Sequence, residues 1–332
     1  MSNYPFKRVI VTGGAGFIGS SYIKQLSNID VDTEIVNIDN LSYAASKKTI
    51  QNLDQLSRYS LINIDINDYN SIKKVIKEFS PDLLINFAAE SHVDNSIDSP
   101  KQFIDTNIVG TYNLLEGIRS LTRNEKILFH HISTDEVFGD LDKNDLPFTE
   151  SHQYQPSSPY SASKAASDML VHAWGRTYKI PYLITNCSNN FGPRQHHEKL
   201  IPKIIYNAIN GIEVPIYGDG KNIRDWIFVE DHIKIIFELH NKNVINQSVN
   251  IGNNCEKTNL EILQTISMIL NDQFAVKLKY SFVKDRPGHD KRYAIDMTKA
   301  EALLGRKIES DFHLNMQKTI QWYIKNIDWW KN

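Results

Sequence analysis

The chain has 332 residues, with 37 Lys and Arg against 39 Asp and Glu, so its net charge is −2 at pH 7. That balance excludes a globally basic nucleic-acid binder, and 41% hydrophobic with 23% charged residues exclude a disordered chain. No apolar run nears the ~18 residues of a membrane span, no secretory signal opens the chain, and Cys187 and Cys255 make neither a disulfide framework nor a metal-ligand spacing, which reads as a cytoplasmic protein of one large domain or two.

The first half alternates β-branched runs with helical segments. Residues 8–12 (Arg-Val-Ile-Val-Thr) read as a buried strand, and 34–38, 59–64, 83–87, 126–132 and 182–186 as five more. Apolar periodicity between them predicts helices, among them 104–119 and 161–178. Strands separated by helices form βαβ units with right-handed crossovers, hence a doubly wound parallel sheet. Ligands of such a sheet bind beyond the carboxyl ends of its strands. After about residue 188 the pattern loosens. Pro193, Pro202 and Pro215 punctuate the chain, and Gly218-Asp219-Gly220 marks a turn. Helices are predicted at 231–240 and 259–270, and the last forty residues read as helical, with Trp322, Trp329 and Trp330. Residues 248–252 read as a strand returning to the large sheet.

Residues 11–19 (Val-Thr-Gly-Gly-Ala-Gly-Phe-Ile-Gly) follow the first strand directly. They satisfy G-x-G-x-x-G through Gly14, Gly16 and Gly19, and G-x-x-G-x-x-G through Gly13, Gly16 and Gly19, with Phe17 and Ile18 opening a helix. Glycines permit the tight turn and let the backbone approach a pyrophosphate, and the helix N-terminus offers that anion unpaired N–H groups. Asp39 ends the second strand, where a carboxylate bonds ribose hydroxyls and repels a 2′-phosphate, so NAD is favoured over NADP. Asp65-Ile66 follows the third strand and is placed to flank an adenine, although Asp65 alone reads equally as a helix N-cap. Phe87-Ala88-Ala89-Glu90 puts small residues where a flat dinucleotide would cross. The reading is an α/β protein with a Rossmann sheet. Residues 1–188, with 227–252 returning to them, form the NAD-binding domain, and 189–226 with 253–332 a smaller, mostly helical substrate domain.

Tyr160-Ser161-Ala162-Ser163-Lys164 is a Y-x-x-x-K, of which roughly one match is expected by chance in such a chain, so its placement matters more than its presence. On a helix Tyr160 and Lys164 share a face. A nearby ammonium favours the phenolate and draws the tyrosine down from its usual value of about 10. Such a tyrosine takes a proton from a sugar hydroxyl as hydride leaves the same carbon. Thr134, Asp135 and Glu136 emerge at the end of the fifth strand. Adjacent carboxylates alone read as well as a solvated loop or helix cap. Beside Tyr160 they supply a base for a carbon acid and an acid for a departing hydroxyl, which a dehydratase needs and an epimerase does not.

From Thr12 to about Asp296 the chain resembles the extended short-chain dehydrogenase/reductase family and, within it, the dTDP-glucose 4,6-dehydratases. The resemblance is carried by 12–19, Asp-Asn-Leu-Ser-Tyr-Ala at 39–44, Ala-Ala-Glu-Ser-His-Val-Asp at 88–94 and Thr-Asn-Ile-Val-Gly-Thr at 106–111. It continues through Ser-Thr-Asp-Glu-Val-Phe-Gly at 133–139, 160–164, Ser-Asn-Asn-Phe-Gly-Pro at 188–193 and Lys-Leu-Ile-Pro at 199–202. Arg-Asp-Trp at 224–226, Val-Glu-Asp-His at 229–232 and Asp-Arg-Pro-Gly-His-Asp at 285–290 complete it. The Asp-Glu pair after Thr134 and the Asp-Arg-Pro-Gly-His run are the most specific. Phe138, Phe191 and Ala45 stand where the family often has Tyr, Tyr and Gly, outside the proton-transfer groups.

The resemblance implies NAD held additionally by Asn40, Leu41, Ser42, Ala88, Ala89, Glu90, Ser91, Thr106, Tyr160, Lys164 and Asn190. It implies dTDP-glucose as substrate. His92, Thr134 and Asn189 would touch the sugar or its phosphates, and Lys199, Arg224, Arg286 and His289 the diphosphate and nucleoside. Leu200, Pro215, Ile216, Tyr217, Asn259 and Asp285 would complete the nucleotide site. Tyr160, aided by Lys164 and Thr134, would take the 4-hydroxyl proton, Glu136 the C5 proton, and Asp135 would protonate the departing 6-hydroxyl. The product would be dTDP-4-keto-6-deoxyglucose, commonly on the way to dTDP-rhamnose, and the family implies a homodimer through 104–119 and 161–178. A UDP-sugar 4-epimerase or decarboxylase of the same family is the alternative. A non-enzymatic nucleotide sensor or RNA binder is disfavoured by the presence of Tyr160 and Lys164 and by the neutral charge. His196 and His197 read as surface histidines, and Cys187 and Cys255 as core.

Overall fold

A computed structural model of the chain describes residues 4–122 and 126–330; residues 1–3 and the Trp330 indole, both read above, lie outside the described part. Twelve strands are described: β1 (Arg8–Thr12), β2 (Glu34–Asp39), β3 (Tyr59–Asn63), β4 (Leu83–Asn86), β5 (Leu128–Thr134), β6 (Tyr182–Cys187), β7 (Asn189–Phe191), β8 (Val214–Tyr217), β9 (Ile223–Phe228), β10 (Gln247–Ile251), β11 (Glu256–Thr258) and β12 (Tyr280–Val283). Seven form one sheet in the order β3-β2-β1-β4-β5-β6-β10, and every pairing in it is parallel.

Such a sheet is buried on both faces, and its sequence shows why. Successive residues of β1 alternate between two cores. Val9 and Val11 join Leu83 and Ile85 under the helices Phe17–Ile29 and Val229–Asn241, which contribute Ile23, Leu26, Ile233 and Ile236. Ile10 joins Leu84 and Phe129 under the helices Thr111–Arg119 and Pro159–Tyr178, through Leu114, Leu115, Ile118 and Val171. The chain winds outward from β1 to β3 in one direction and from β4 to β10 in the other. The topological switch point therefore lies between β1 and β4, where a crevice opens at the strands' carboxyl ends.

Two expectations change. The predicted helix over 104–119 begins as a wide π-turn, Ile104–Gly110, and is α-helical only over Thr111–Arg119. The Asn107 carbonyl accepts hydroxyls from both Thr111 (2.7 Å) and Ser167 (2.6 Å), which draws it out of the regular ladder. The C-terminal part is mostly helical among the described residues, but it also carries strands that the sequence pattern does not show. It holds a three-stranded sheet, β11-β9-β7, and a pair, β12-β8. These strands are three to six residues long, too short for alternation to show in the sequence. They pack with the helices Leu200–Ile209, Asn259–Phe274 and Phe312–Lys325 around Phe191, Ile204, Trp226, Ile262, Ile266 and Tyr323. No described helix is long and apolar enough to cross a membrane.

Candidate active site

At the end of β1 the chain turns through Gly13, whose φ of 69° lies in the left-handed region. A Cβ there would sit 2.7 Å from the backbone of Ala88, and one on Gly19 would sit 2.4 Å from the Gly13 carbonyl oxygen. Gly16 caps the Phe17–Ile29 helix with no side chain. The first-turn N–H groups are therefore left to the cavity that Gly13, Gly16, Phe17, Ile18 and Gly19 line. Gly14 N–H is held by Asn37 Oδ1 at 2.9 Å. The Asp39 carboxylate braces the turn from β2, accepting Ala15 N–H at 2.9 Å and Leu41 N–H at 2.8 Å, while it too faces the cavity. The residues present fit a dinucleotide: a backbone cradle that side chains would fill, an open helix N-terminus for its phosphates, and a carboxylate for a ribose. Gly13→Ala is expected to lower unfolding free energy by about 2–3 kcal/mol, because strain and a backbone clash coincide. Thermal unfolding with and without NAD measures it, and a wild-type Tm in both would show the turn to be tolerant.

Most of the remaining NAD set lines the same cavity: Asn40, Ser42, Asp65, Ile66, Ala88, Ala89, Glu90, Ser91, Thr106, Tyr160, Lys164 and Asn190. Leu41 is not part of the lining. The two readings of Asp65 separate here. Asp65 accepts Asn40 Nδ2 at 3.0 Å, and the N-cap of the Tyr69–Phe79 helix is Asp68. His196, read from sequence as a surface residue, lines the cavity beside Glu198, with Tyr43 packed edge-on to its ring. Cys187 lines it as well, buried, while Cys255 is only half-buried.

Thr134, Asp135 and Glu136 leave β5 in a tight 3-10 turn. Thr134 Oγ1 accepts Glu136 N–H and donates to Asp135 Oδ1, each at 3.3 Å. Asp135 is 1% exposed and its Oδ2 has no hydrogen-bond partner. Burial, then the Glu136 charge, push its carboxyl well above the usual range, which keeps it protonated. Burial raises Glu136 as well, but Arg224, Arg286 and Lys199 draw it back toward the carboxylate. Both neighbouring acids are raised, and the three basic groups oppose the rise at Glu136 more than at Asp135, which sets the two apart.

Tyr160 opens the Pro159–Tyr178 helix, which Ser158 and Ser161 close with a capping box. The expectation that Lys164 lowers the tyrosine is corrected. Burial, then the charges of Glu136, Cys187 and Asp135, push Tyr160 well above its usual value. Lys164 Nζ donates to the Ile132 carbonyl at 2.7 Å, and burial pulls it down to about 8.

Of the expected substrate contacts, Thr134, Asn189 and Lys199 line the cavity. Lys199 Nζ donates to the Ser91 carbonyl at 2.6 Å. A second group gathers on Asp94, which accepts Arg286 Nη1 at 3.1 Å and the Tyr217 hydroxyl at 3.3 Å; Asp94 follows His92, which caps the next helix. Asp285 pairs with His289 Nδ1 at 2.6 Å. Arg224 is buried over the Tyr293 ring and donates to the Ile223 and Asp290 carbonyls. Ile216 points into the C-terminal core, with Leu200 packed at its edge. Pro215 and Asn259 stand apart from the cavity, at the β8 strand and the start of the Asn259–Phe274 helix. The basic groups Lys199, Arg224 and Arg286 do converge electrostatically on Glu136. Sequence reading missed His131 and Asp168, both buried beside Lys164. The i+4 spacing of Lys164 and Asp168 was the available signal.

A glycine cradle at the switch point, a carboxylate ending β2 and a Tyr-Lys pair on the adjoining helix define an extended short-chain dehydrogenase/reductase. Residues 10–319 match the family model described as GDP-mannose 4,6 dehydratase, and the chain belongs to that family. It is 46% identical to a dTDP-glucose 4,6-dehydratase of Neisseria meningitidis, over 98% of this chain and 96% of that one. It is 47% identical to one of Haemophilus influenzae, over 96% and 98%. Among solved structures, the Streptomyces venezuelae DesIV dTDP-glucose 4,6-dehydratase, with NAD and TYD bound, superposes with a TM-score of 0.90 at 37% identity, covering 98% and 99% of the two chains. A Bacillus anthracis dTDP-glucose 4,6-dehydratase in complex with NAD gives 0.87 at 38%, over 97% and 98%.

Proposed function

We propose that this chain is an NAD-dependent hydro-lyase that converts dTDP-glucose to dTDP-4-keto-6-deoxyglucose and water. The observation that carries the reading is the Asp135-Glu136 pair, protonated donor beside ionisable acceptor, facing the same cavity as Tyr160. NAD, held by the Gly13–Gly19 turn, Asp39 and the cavity residues around them, would supply a hydride acceptor for C4 and a hydride donor for C6. Tyr160 Oη takes the 4-hydroxyl proton. The 4-keto group acidifies C5–H, Glu136 removes that proton, and Asp135 gives its own to the 6-hydroxyl as water leaves. Glu136, whose proton exchanges with solvent, then protonates C5. One cycle therefore leaves a proton on Tyr160 and takes one from Asp135. The Thr134 hydroxyl, bonded to Asp135 and close enough to the phenol to favour its ionised form, is placed to pass that proton back.

Residues 1–188 with 227–252 hold NAD in this reading, and 189–226 with 253–332 hold the nucleotide. The relatives' names support dTDP-glucose, and deoxysugar synthesis, dTDP-rhamnose foremost, is the setting we assign. Exposed Ile104, Val109, Tyr112, Met169 and Tyr178 on two packed helical segments support a homodimer. Two unpaired cysteines support the cytoplasm. Product identity decides the reaction. The purified protein is expected to form the alkali-absorbing 4-keto product from dTDP-glucose and not from UDP-glucose. Epimerisation or decarboxylation of a UDP-sugar, with dTDP-glucose untouched, would replace this reading with the other branch of the fold.

A further inference from the structure

Next to the proposed chemistry lies a buried polar group that it does not use. Lys164 Nζ sits 3.2 Å from His131 Nε2. Asp168, one turn further along the same helix, brings Oδ1 to 3.5 Å from that same nitrogen. Lys164 is 3% exposed, and His131 and Asp168 are both 0%. Asp168 Oδ2 accepts three hydrogen bonds, from Ser133 Oγ at 2.8 Å, the Tyr154 hydroxyl at 2.9 Å and Asn186 Nδ2 at 3.2 Å. Oδ1 accepts none.

The imidazole between them has a defined orientation. Thr12 Oγ1 donates to Asn86 Oδ1 at 2.5 Å, which turns Asn86 Nδ2 toward His131 Nδ1 at 3.2 Å. Nδ1 is thus an acceptor, and the neutral ring carries its proton on Nε2, toward Asp168 Oδ1; the Lys164 ammonium, a donor only, gives its hydrogen to the Ile132 carbonyl and not to this nitrogen. An ammonium this deeply buried is costly unless a counter-charge is held near it, and a carboxylate already fixed by three neutral donors is ready to serve.

We propose that Asp168 is a positioning residue for Lys164: acting across His131, its carboxylate supplies the buried counter-charge that keeps the Lys164 ammonium ionised one helical turn from Tyr160. Three other titratable groups face the pair: His131 on β5, Tyr154 before the helix and Cys187 on β6. None of them changes charge near neutrality. Burial, then the Lys164 charge, draw His131 well below its usual value, and burial pushes Tyr154 up and Cys187 up to about 12. Burial, opposed by Lys164, pushes Asp168 up to about 6, and burial, opposed by Asp168, pulls Lys164 down to about 8. Both are ionised between those values.

The test reads Lys164 directly, by the 13Cε chemical shift of labelled lysine assigned with Lys164→Arg. The wild-type signal is expected to inflect near 6, where Asp168 titrates, and again near 8. Asp168→Asn should erase the lower inflection and move the upper one down by about one unit or more, while Asp168→Glu, which keeps the charge, should move it less. A single wild-type inflection above about 10, or an unmoved midpoint in Asp168→Asn, overturns the proposal. The wild-type arm decides even if the variants fail to fold. A kinetic arm rests on the proposed function: in Asp168→Asn the basic limb of the pH profile for C4 oxidation should shift down with the lysine, and KM should hold within about twofold. Failure of the wild type to oxidise dTDP-glucose would overturn the proposed function and leave the lysine titration to stand alone.

Discussion

Glu136→Gln is expected to stop dehydration while leaving oxidation at C4 in place. The amide fills the same volume at the end of β5 and keeps the backbone N–H that Thr134 Oγ1 accepts. It loses the one property the reaction asks of this residue, the capacity to take and return a proton at C5. Burial raises Glu136 and Arg224, Arg286 and Lys199 oppose that rise, so the wild-type group is titratable where the amide is not. Loss of such a positioned base lowers kcat by about 10²- to 10⁴-fold. Oxidation at C4 depends on Tyr160 and Lys164 and should change by less than about tenfold. Two measurements separate the steps. Deuterium uptake at C5 in D2O should vanish, and reduced-nicotinamide absorbance should build up because the hydride has nowhere to go. Wild-type exchange in this variant would remove Glu136 from the role of base. Loss of both steps together would mean that the residue positions the sugar instead.

What could be read in advance, and what could not, follows from the range of the interactions involved. The Gly13–Gly19 turn, the carboxylate of Asp39 and the β-branched runs of the parallel strands, most of them buried on both faces, are local features, written in consecutive residues. So is the adjacency of Asp135 and Glu136. Their different settings are not, because Arg224 and Arg286 reach Glu136 from far along the chain. The same range explains the misjudged tyrosine. The i, i+4 spacing of Tyr160 and Lys164 is visible in sequence, but the Ile132 carbonyl that engages the ammonium comes from β5, and the carboxylates beside the phenol from the turn after it. His196 looked like a surface residue because nothing local links it to Tyr43, 153 residues earlier, whose ring packs against it. For Asp65 and Asp68, two aspartates three residues apart, sequence reading weighed the first as the cap; the structure gives that role to Asp68 because its carboxylate accepts Ser71 N–H.

Acid is expected to destabilise the fold through four buried histidines. His130, His131 and His232 are 0% exposed and His240 is 2%. A chain of hydrogen bonds runs from the Tyr22 hydroxyl to Tyr4 at 2.7 Å, from Tyr4 to His240 Nδ1 at 2.7 Å, and from His240 Nε2 to His130 Nδ1 at 2.9 Å. It ends on Thr185, 3.1 Å from His130 Nε2. Between two imidazoles one nitrogen must donate and the other accept. Protonating either ring adds a donor where an acceptor is needed, inside a core that offers no water. Burial accordingly draws His232 and His240 down to about 3, and His130 well below its usual value. The folded value lies below the unfolded one of about 6.5, so each histidine's contribution is complete above 6.5 and drains away as the pH falls toward the folded value. Each ring that stays neutral in the fold thereby costs on the order of 1 kcal/mol between pH 7.5 and 5.5, against a typical total stability of about 5–15 kcal/mol. Raised carboxylates act in the opposite sense: Asp135, kept protonated in the fold, and Asp168, at about 6, hold protons that the unfolded chain releases, so acid favours the fold through them. Urea unfolding at the two pH values isolates the histidine share by comparison: His240→Gln should lose less stability than the wild type on going from 7.5 to 5.5, by roughly 1 kcal/mol. Identical acid losses in the two proteins would show that this imidazole accepts its proton within the fold, and that the chain through Tyr4 and His130 can be broken without unfolding the core.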